Sequence, residues 1–282
     1  MKKLYFTMLL MAGLALTACS SDDNSTEPLA PKTYYMTVDA SKAVNEAFSR
    51  VSTRALSLDG STLNATWATM EHVYVQGKKV SDGSYFLFDG SLQPQSAGTT
   101  TQLNGVISLP GSFSISIDEA IGTPHTLNLQ FPRPYVLDYT GQIGTLADIA
   151  AKYDYAKAEG VRVDIKADKV VGVAPVTFVN QQAIVKFTLR DKTDATKLLN
   201  PTALTIQYGD EESPSFLYLT SIPAATYTTN GNGVLFVAIP GFSEKKVILT
   251  ATVGGNTYTF TNSNVSFVNG EYYELNVKMK SN

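Results

Sequence analysis

An all-β chain of two antiparallel β-sandwich domains with few short helices is the fold this sequence predicts, and three observations carry it. Apolar residues recur at every second position along most of the chain, the pattern of strands that bury one face. Charged residues make up 17% of the 282, against roughly 25% in an average soluble domain, while 15 Tyr and 13 Phe supply the aromatic bulk that strands favour. Gly and Pro break the alternating runs about every ten residues, the spacing of short strands joined by turns.

The first residues lie outside that pattern. Lys2 and Lys3 precede Leu4 to Leu16, an apolar stretch too short to span a bilayer, and Leu16-Thr17-Ala18-Cys19 follows at once. Residues 1–18 read as an export signal, and the order Leu, small, small, Cys resembles the lipobox of bacterial lipoproteins. That resemblance implies acylation of Cys19, the chain's single cysteine. With about 0.8 kcal/mol per buried CH₂, two or three acyl chains hold a protein at a membrane where one binds reversibly. Ser20 to Pro28 is polar throughout and reads as a tether. Its Asp22-Asp23 pair resembles the signal by which some Gram-negative lineages send lipoproteins to the cell exterior.

Period two then sets in. Tyr34-Tyr35-Met36-Thr37-Val38 is a candidate strand, and Ser41 is placed to cap a short helix through Val44, Ala47 and Phe48. Val73-Tyr74-Val75, Phe113/Ile115/Ile117, Leu127/Leu129/Phe131 and Val161/Val163/Ile165 follow as strands, with Thr145 capping a helix that carries Leu146, Ile149, Ala150 and Tyr153 and ends near Gly160. A Gly and Pro interruption at Gly172 to Pro175 divides the chain into sandwiches at 55–172 and 173–282, behind a segment at 19–54. In the second part Val185/Phe187/Leu189, Leu204/Ile206/Tyr208 and Val247/Leu249/Ala251/Val253 continue the alternation, and Gly254-Gly255-Asn256 turns the last of these into Tyr258/Phe260. Asn269-Gly270, a pair that accepts positive φ at both turn centres, predicts a hairpin joining Val265/Phe267 to Tyr273/Leu275/Val277/Met279.

Composition narrows the chemistry. The net charge is -3 and no basic run exceeds a pair, so nothing predicts nucleic-acid binding. One Cys and two His, His72 and His125, supply neither a zinc site nor a Cys-His nucleophile pair, and no cofactor fingerprint, phosphate loop or nucleophile elbow occurs. No catalytic, cofactor-binding or metal residue is therefore assigned. Asp210-Glu211-Glu212 reads as a solvated loop, each His as an ordinary residue, and Trp67 as either core or a sugar-stacking ring. Of the pairs Tyr34-Tyr35 and Tyr272-Tyr273, one member each is expected in the core, because adjacent strand residues face opposite sides.

With these elements in place the chain resembles the fimbrillin family, the subunits of Bacteroidia-type (type V) pili. Thr53-Arg54-Ala55, then Thr62 to Thr66, Trp67 and Val73-Tyr74-Val75, are similar to the start of that family's mature domain. Phe178 through Ala183-Ile184-Val185-Lys186-Phe187-Thr188-Leu189 resembles its mid-chain strand, and Tyr258-Thr259-Phe260 to Gly270-Glu271-Tyr272-Tyr273-Glu274-Leu275-Asn276-Val277 its C-terminal one. Near Trp67 the text departs from the family, with Ala68-Thr69-Met70-Glu71 in place of a Gly-Asp turn. The resemblance implies transthyretin-like sandwiches, an outer-membrane lipid anchor, and assembly into a fimbrium with other pilus subunits by β-strand exchange. It implies cleavage by an arginine-specific protease at Arg54 or Arg50, which frees Tyr34 to Val38 from the edge a partner strand needs, and a host protein or glycan as adhesion ligand. Lys278 to Asn282 is short for a donor arm, so stalk, tip and basal roles stay open. A monomeric surface lipoprotein that binds glycans is the alternative, and a surface glycosidase would need carboxylates converging on a cleft.

Replacing Cys19 with Ser should abolish radiolabelled palmitate incorporation and move the protein out of the membrane fraction. Unchanged labelling would rule out the lipobox reading.

Overall fold

The alternation Tyr34, Met36, Val38, Ala40 becomes the first strand of a computed structural model that describes residues 32–42, 56–59, 62–132, 137–210 and 212–282, all within the unit Pro31–Asn282. In chain order the elements are β1 (Thr33–Lys42), β2 (Leu56–Asp59), β3 (Thr62–Ala65), β4 (Tyr74–Lys78), β5 (Tyr85–Leu87), β6 (Asp89–Pro94) and β7 (Thr100–Ser108). Next come α1 (Ile117–Ile121), β8 (Thr126–Phe131), α2 (Leu146–Lys152), β9 (Ala156–Lys166), β10 (Lys169–Gly172) and β11 (Val176–Asn180). The remainder is β12 (Ala183–Asp191), β13 (Ala203–Asp210), β14 (Ser213–Leu219), α3 (Ala224–Asn230), β15 (Val234–Ile239), β16 (Phe242–Val253), β17 (Asn256–Phe267) and β18 (Tyr272–Ser281). The protein is all-β, as the sequence predicts.

Hydrogen bonding links the strands in the order β5-β4-β8-β9-β10-β1-β7-β6, with β11 beside β1 and β9, and separately in the order β14-β13-β16-β17-β18-β12-β15. Leaving out β6 and β11, both sets read third, second, fifth, sixth, seventh, first, fourth in their own chain order, so the two sandwiches share one topology. Each encloses its own core: Met36, Trp67, Val75, Leu103, Leu129 and Phe178 in the first, and Val185, Leu204, Ile206, Leu235, Leu249 and Val277 in the second. Gly172 to Pro175 is followed by β11, which still pairs with β1 and β9, and the chain enters the second sandwich at Ala183. Two excursions from the first half reach the second core: Leu56 and Ala65 of the β2–β3 hairpin, and Tyr139, Ile149, Tyr153 and Tyr155 around α2. Gln142, fully buried, accepts from Ala238 N and donates to Ala238 O, covering the outer edge of β15.

Most ladders are antiparallel, but β1 runs parallel to β10 and β11, and β12 parallel to β18. A parallel neighbour needs a long crossover, and here the rest of each sandwich supplies it by bringing first and last strands together. This corrects the expected C-terminal hairpin. The turn at Asn269-Gly270 forms, but β17 and β18 pair only at Tyr258↔Ser281 and Thr259↔Lys280, because straight after the turn β18 zips onto β12, from Ile184↔Tyr272 to Asp191↔Met279. Gly254-Gly255 makes the expected two-residue turn, both at positive φ (55° and 82°).

Two local expectations change, and a third falls outside the described residues. The strand expected at Phe113/Ile115/Ile117 does not form: Ile117 opens α1, because Ser116 accepts from Glu119 N and Asp118 and Glu119 occupy the first turn, while Phe113 and Ile115, outside any strand, still pack on the first core. Ser41 lies in β1 with its hydroxyl near Val176 O and Thr177, and the helix expected through Val44, Ala47 and Phe48 falls on residues 43–55, outside those described. Thr145 caps α2 as expected, but the helix stops at Tyr153, well before Gly160.

Gly105 of β7 faces Met36 of β1 on one side and Leu92 of β6 on the other, and a Cβ there would lie 2.1 Å from Ser91 O. Gly105→Ala should therefore cost about 1–3 kcal/mol or more in urea unfolding, as overpacking does. Gly111→Ala, with no atom within 4 Å, should stay within about 0.5 kcal/mol of wild type.

Candidate functional site

β1 enters the first sandwich at its middle and not at its edge. It pairs antiparallel with β7 from Thr33↔Ser108 to Ser41↔Thr100, and parallel with β10 at Tyr35 to Thr37 and β11 at Ala40 to Lys42. Alternate side chains Tyr34, Met36, Val38 and Ala40 are buried, while Tyr35 is 45% exposed. The expectation that one of Tyr34-Tyr35 is core is met; at Tyr272-Tyr273 both half-buried rings touch the second core, with Tyr273 packed edge-on against Phe267. A sheet with β1 removed would lose both ladders at once and open a slot onto the first core.

The inward parity of β1 ends in a charge. Lys42 is 1% exposed, and its ammonium donates to Asp154 Oδ2 at 3.0 Å, Glu71 Oε1 at 3.2 Å and Thr66 O at 3.2 Å. Three acceptors match its three N–H donors. The Trp67 and Phe131 rings lie 4.8 and 4.6 Å from the same nitrogen, favourable cation–π distances. Burial pushes the Glu71 carboxyl above its ordinary value despite the opposing pull of Lys42 and the bond from Ala68 N. Asp154, on the link between α2 and β9, is 5% exposed, and its Oδ1 has no hydrogen-bond partner among the described residues. Two carboxylates thus converge, but on a buried lysine and not on a cleft.

Other candidates fall elsewhere. Trp67 is fully buried and meets Phe178 edge-on at 5.0 Å, so it is core and cannot stack on a sugar. His72 contacts Ser91 and Gln93 on the surface, and His125 lies 3.2 Å from Asp118. Asp210, exposed, ends β13 and pairs with half-buried Lys245, and Glu211 lies outside the described residues, as do Cys19, Arg50 and Arg54. Phe216 and Tyr218 on β14 are 44% and 43% exposed, with rings stacked at 5.9 Å. No group of three His, Cys, Asp or Glu able to hold a metal occurs among the described residues, and no described helix is long and apolar enough to cross a membrane.

No protein-family model and no curated protein matches the sequence. Solved structures that match include a fimbrial protein from Bacteroides ovatus (10% identity, 88% of this chain and 49% of that one, TM-score 0.35). A fimbrial assembly protein from Parabacteroides distasonis matches at 9% identity over 86% of this chain and 90% of that one, TM-score 0.40. The shaft pilin of Lactobacillus rhamnosus GG matches at 9% over 90% and 98%, TM-score 0.31. The chain spans about half the length of the Bacteroides ovatus protein. Scores at this level carry no functional argument.

Because the folded pKa of Glu71 is raised, its contribution to stability is complete below the ordinary carboxylate range and is lost as pH rises through the folded value. Glu71→Gln, which keeps the neutral form, should gain stability relative to wild type between acid and neutral pH. Urea midpoints at the two pH values check this, and an unchanged or reversed difference would contradict it.

Proposed function

We propose that this protein is a structural or adhesive subunit of a cell-surface pilus, exported as a lipoprotein acylated at Cys19 and held at the outer membrane until it is processed. An arginine-specific protease cuts at Arg54 or Arg50, β1 departs, and an extended strand of another subunit takes its place. The observation that carries this reading is the seat of β1. The strand is central to its sandwich, yet its chain connection onward runs through residues 43–55, which include both arginines. One cut there leaves β1 held only by hydrogen bonds, packing and the Lys42 ion cluster. An incoming strand recovers the backbone bonds, and its alternate side chains fill the pockets of Tyr34, Met36, Val38 and Ala40. Export, cleavage, exchange, and a host protein or glycan as ligand are all part of this proposal.

The stacked, exposed pair Phe216 and Tyr218 favours a second reading, a monomeric lipoprotein that binds glycans on β14, since flat aromatic faces suit sugar rings. Assembly separates the two.

The double variant Arg50→Ala/Arg54→Ala should remain a long monomer under arginine-specific protease, while wild type shortens and forms polymers visible by electron microscopy. Wild type that is fully cleaved without polymerising, or a double variant that polymerises equally, would leave the glycan-binding reading as the better one.

A further inference from the structure

The seat of β1 is not purely apolar, and its polar end restricts what can occupy it. Lys42 leaves with β1, whereas Asp154 belongs to the α2–β9 link and stays. In the intact protein the Asp154 carboxylate has Lys42 on Oδ2 at 3.0 Å and no described partner on Oδ1. A strand with a neutral residue at this point would leave a buried carboxylate without its cation, a loss far greater than that of an exposed ion pair. Trp67 and Phe131 present ring faces to the same spot, which also favour a cation.

We infer that the strand replacing β1 must carry a cationic residue at the Lys42 position, two residues beyond a small side chain at the Ala40 position and after three alternating larger apolar ones. Lysine fits best, because the three acceptors around Nζ match the three donors of an ammonium. The inference rests on the strand-exchange reading and adds a charge requirement to it: backbone pairing accepts any extended segment, and Asp154 rejects the neutral ones.

The test uses the whole protein after complete cleavage by an arginine-specific protease, which is then removed. Labelled peptides spanning Thr33–Lys42, amidated so that no new carboxylate stands beside Lys42, are offered in excess, and incorporation is followed by native mass spectrometry. The native peptide should enter, and its Lys42→Met counterpart should bind on the order of 100-fold more weakly. In Asp154→Asn protein that discrimination should shrink to about tenfold or less, the coupling expected of a direct pair. Equal entry of both peptides into wild-type protein, or undiminished discrimination by folded Asp154→Asn protein, would overturn the charge requirement and leave strand exchange standing. Entry of neither peptide into cleaved, folded protein would overturn strand exchange itself, and the inference with it.

Discussion

A single strand in the middle of a sheet must satisfy two neighbours at once, and β1 does so with neighbours that run in opposite directions. Its backbone closes an antiparallel ladder with β7 and parallel ones with β10 and β11, so the first sandwich is continuous only while the seat is filled. The side chains repeat the constraint. Gly172 lies against Val38, 3.3 Å from where a Cβ would begin, whereas Gly105, the partner of Met36, is crowded from its far side by Ser91 and Leu92 of β6. The close approach at Gly172 and the alternating burial along β1 favour an occupant of fixed register, since a slip of one residue would send the whole inward set to the wrong face.

Much of this was legible in sequence, because period two is a local property. The inward set of β1, the strands through Leu127 and Val185, the Thr145 cap and the Gly254-Gly255 turn all depend on neighbours a few residues apart. What escaped depends on distance. Asn269-Gly270 is a hairpin turn by its chemistry, yet β18 finds a longer ladder on β12, and only the assembled sandwich offers that partner. The meeting of Lys42 with Asp154, 112 residues away in the chain, has no local trace on the Asp154 side. On the Lys42 side there was one: a charge standing on the inward parity after Tyr34, Met36, Val38 and Ala40, where an apolar residue was due.

The ion cluster is better understood as a device of specificity than of stability. Replacing a buried ion pair by well-packed apolar groups is often neutral or stabilising, while deleting one member alone is strongly destabilising. A cluster divided between a strand and its frame therefore adds little to the seated state, yet imposes a large cost on a mismatched occupant.

The second sandwich supplies the internal control. It has the same topology, with β12 in the place of β1, and β12 also ends in a buried charge, Asp191. The partners of Asp191 are local: Thr193 donates from both its amide and its hydroxyl, and Lys197 lies 3.2 Å away. Those bonds hold the Asp191 carboxyl down at about 2 and travel with the strand. β12 thus carries its own neutralisation, while β1 depends on an acid fixed elsewhere in the fold. Of two first strands in equivalent positions, only the one followed by Arg50 and Arg54 ends in a charge whose counter-ion belongs to its seat.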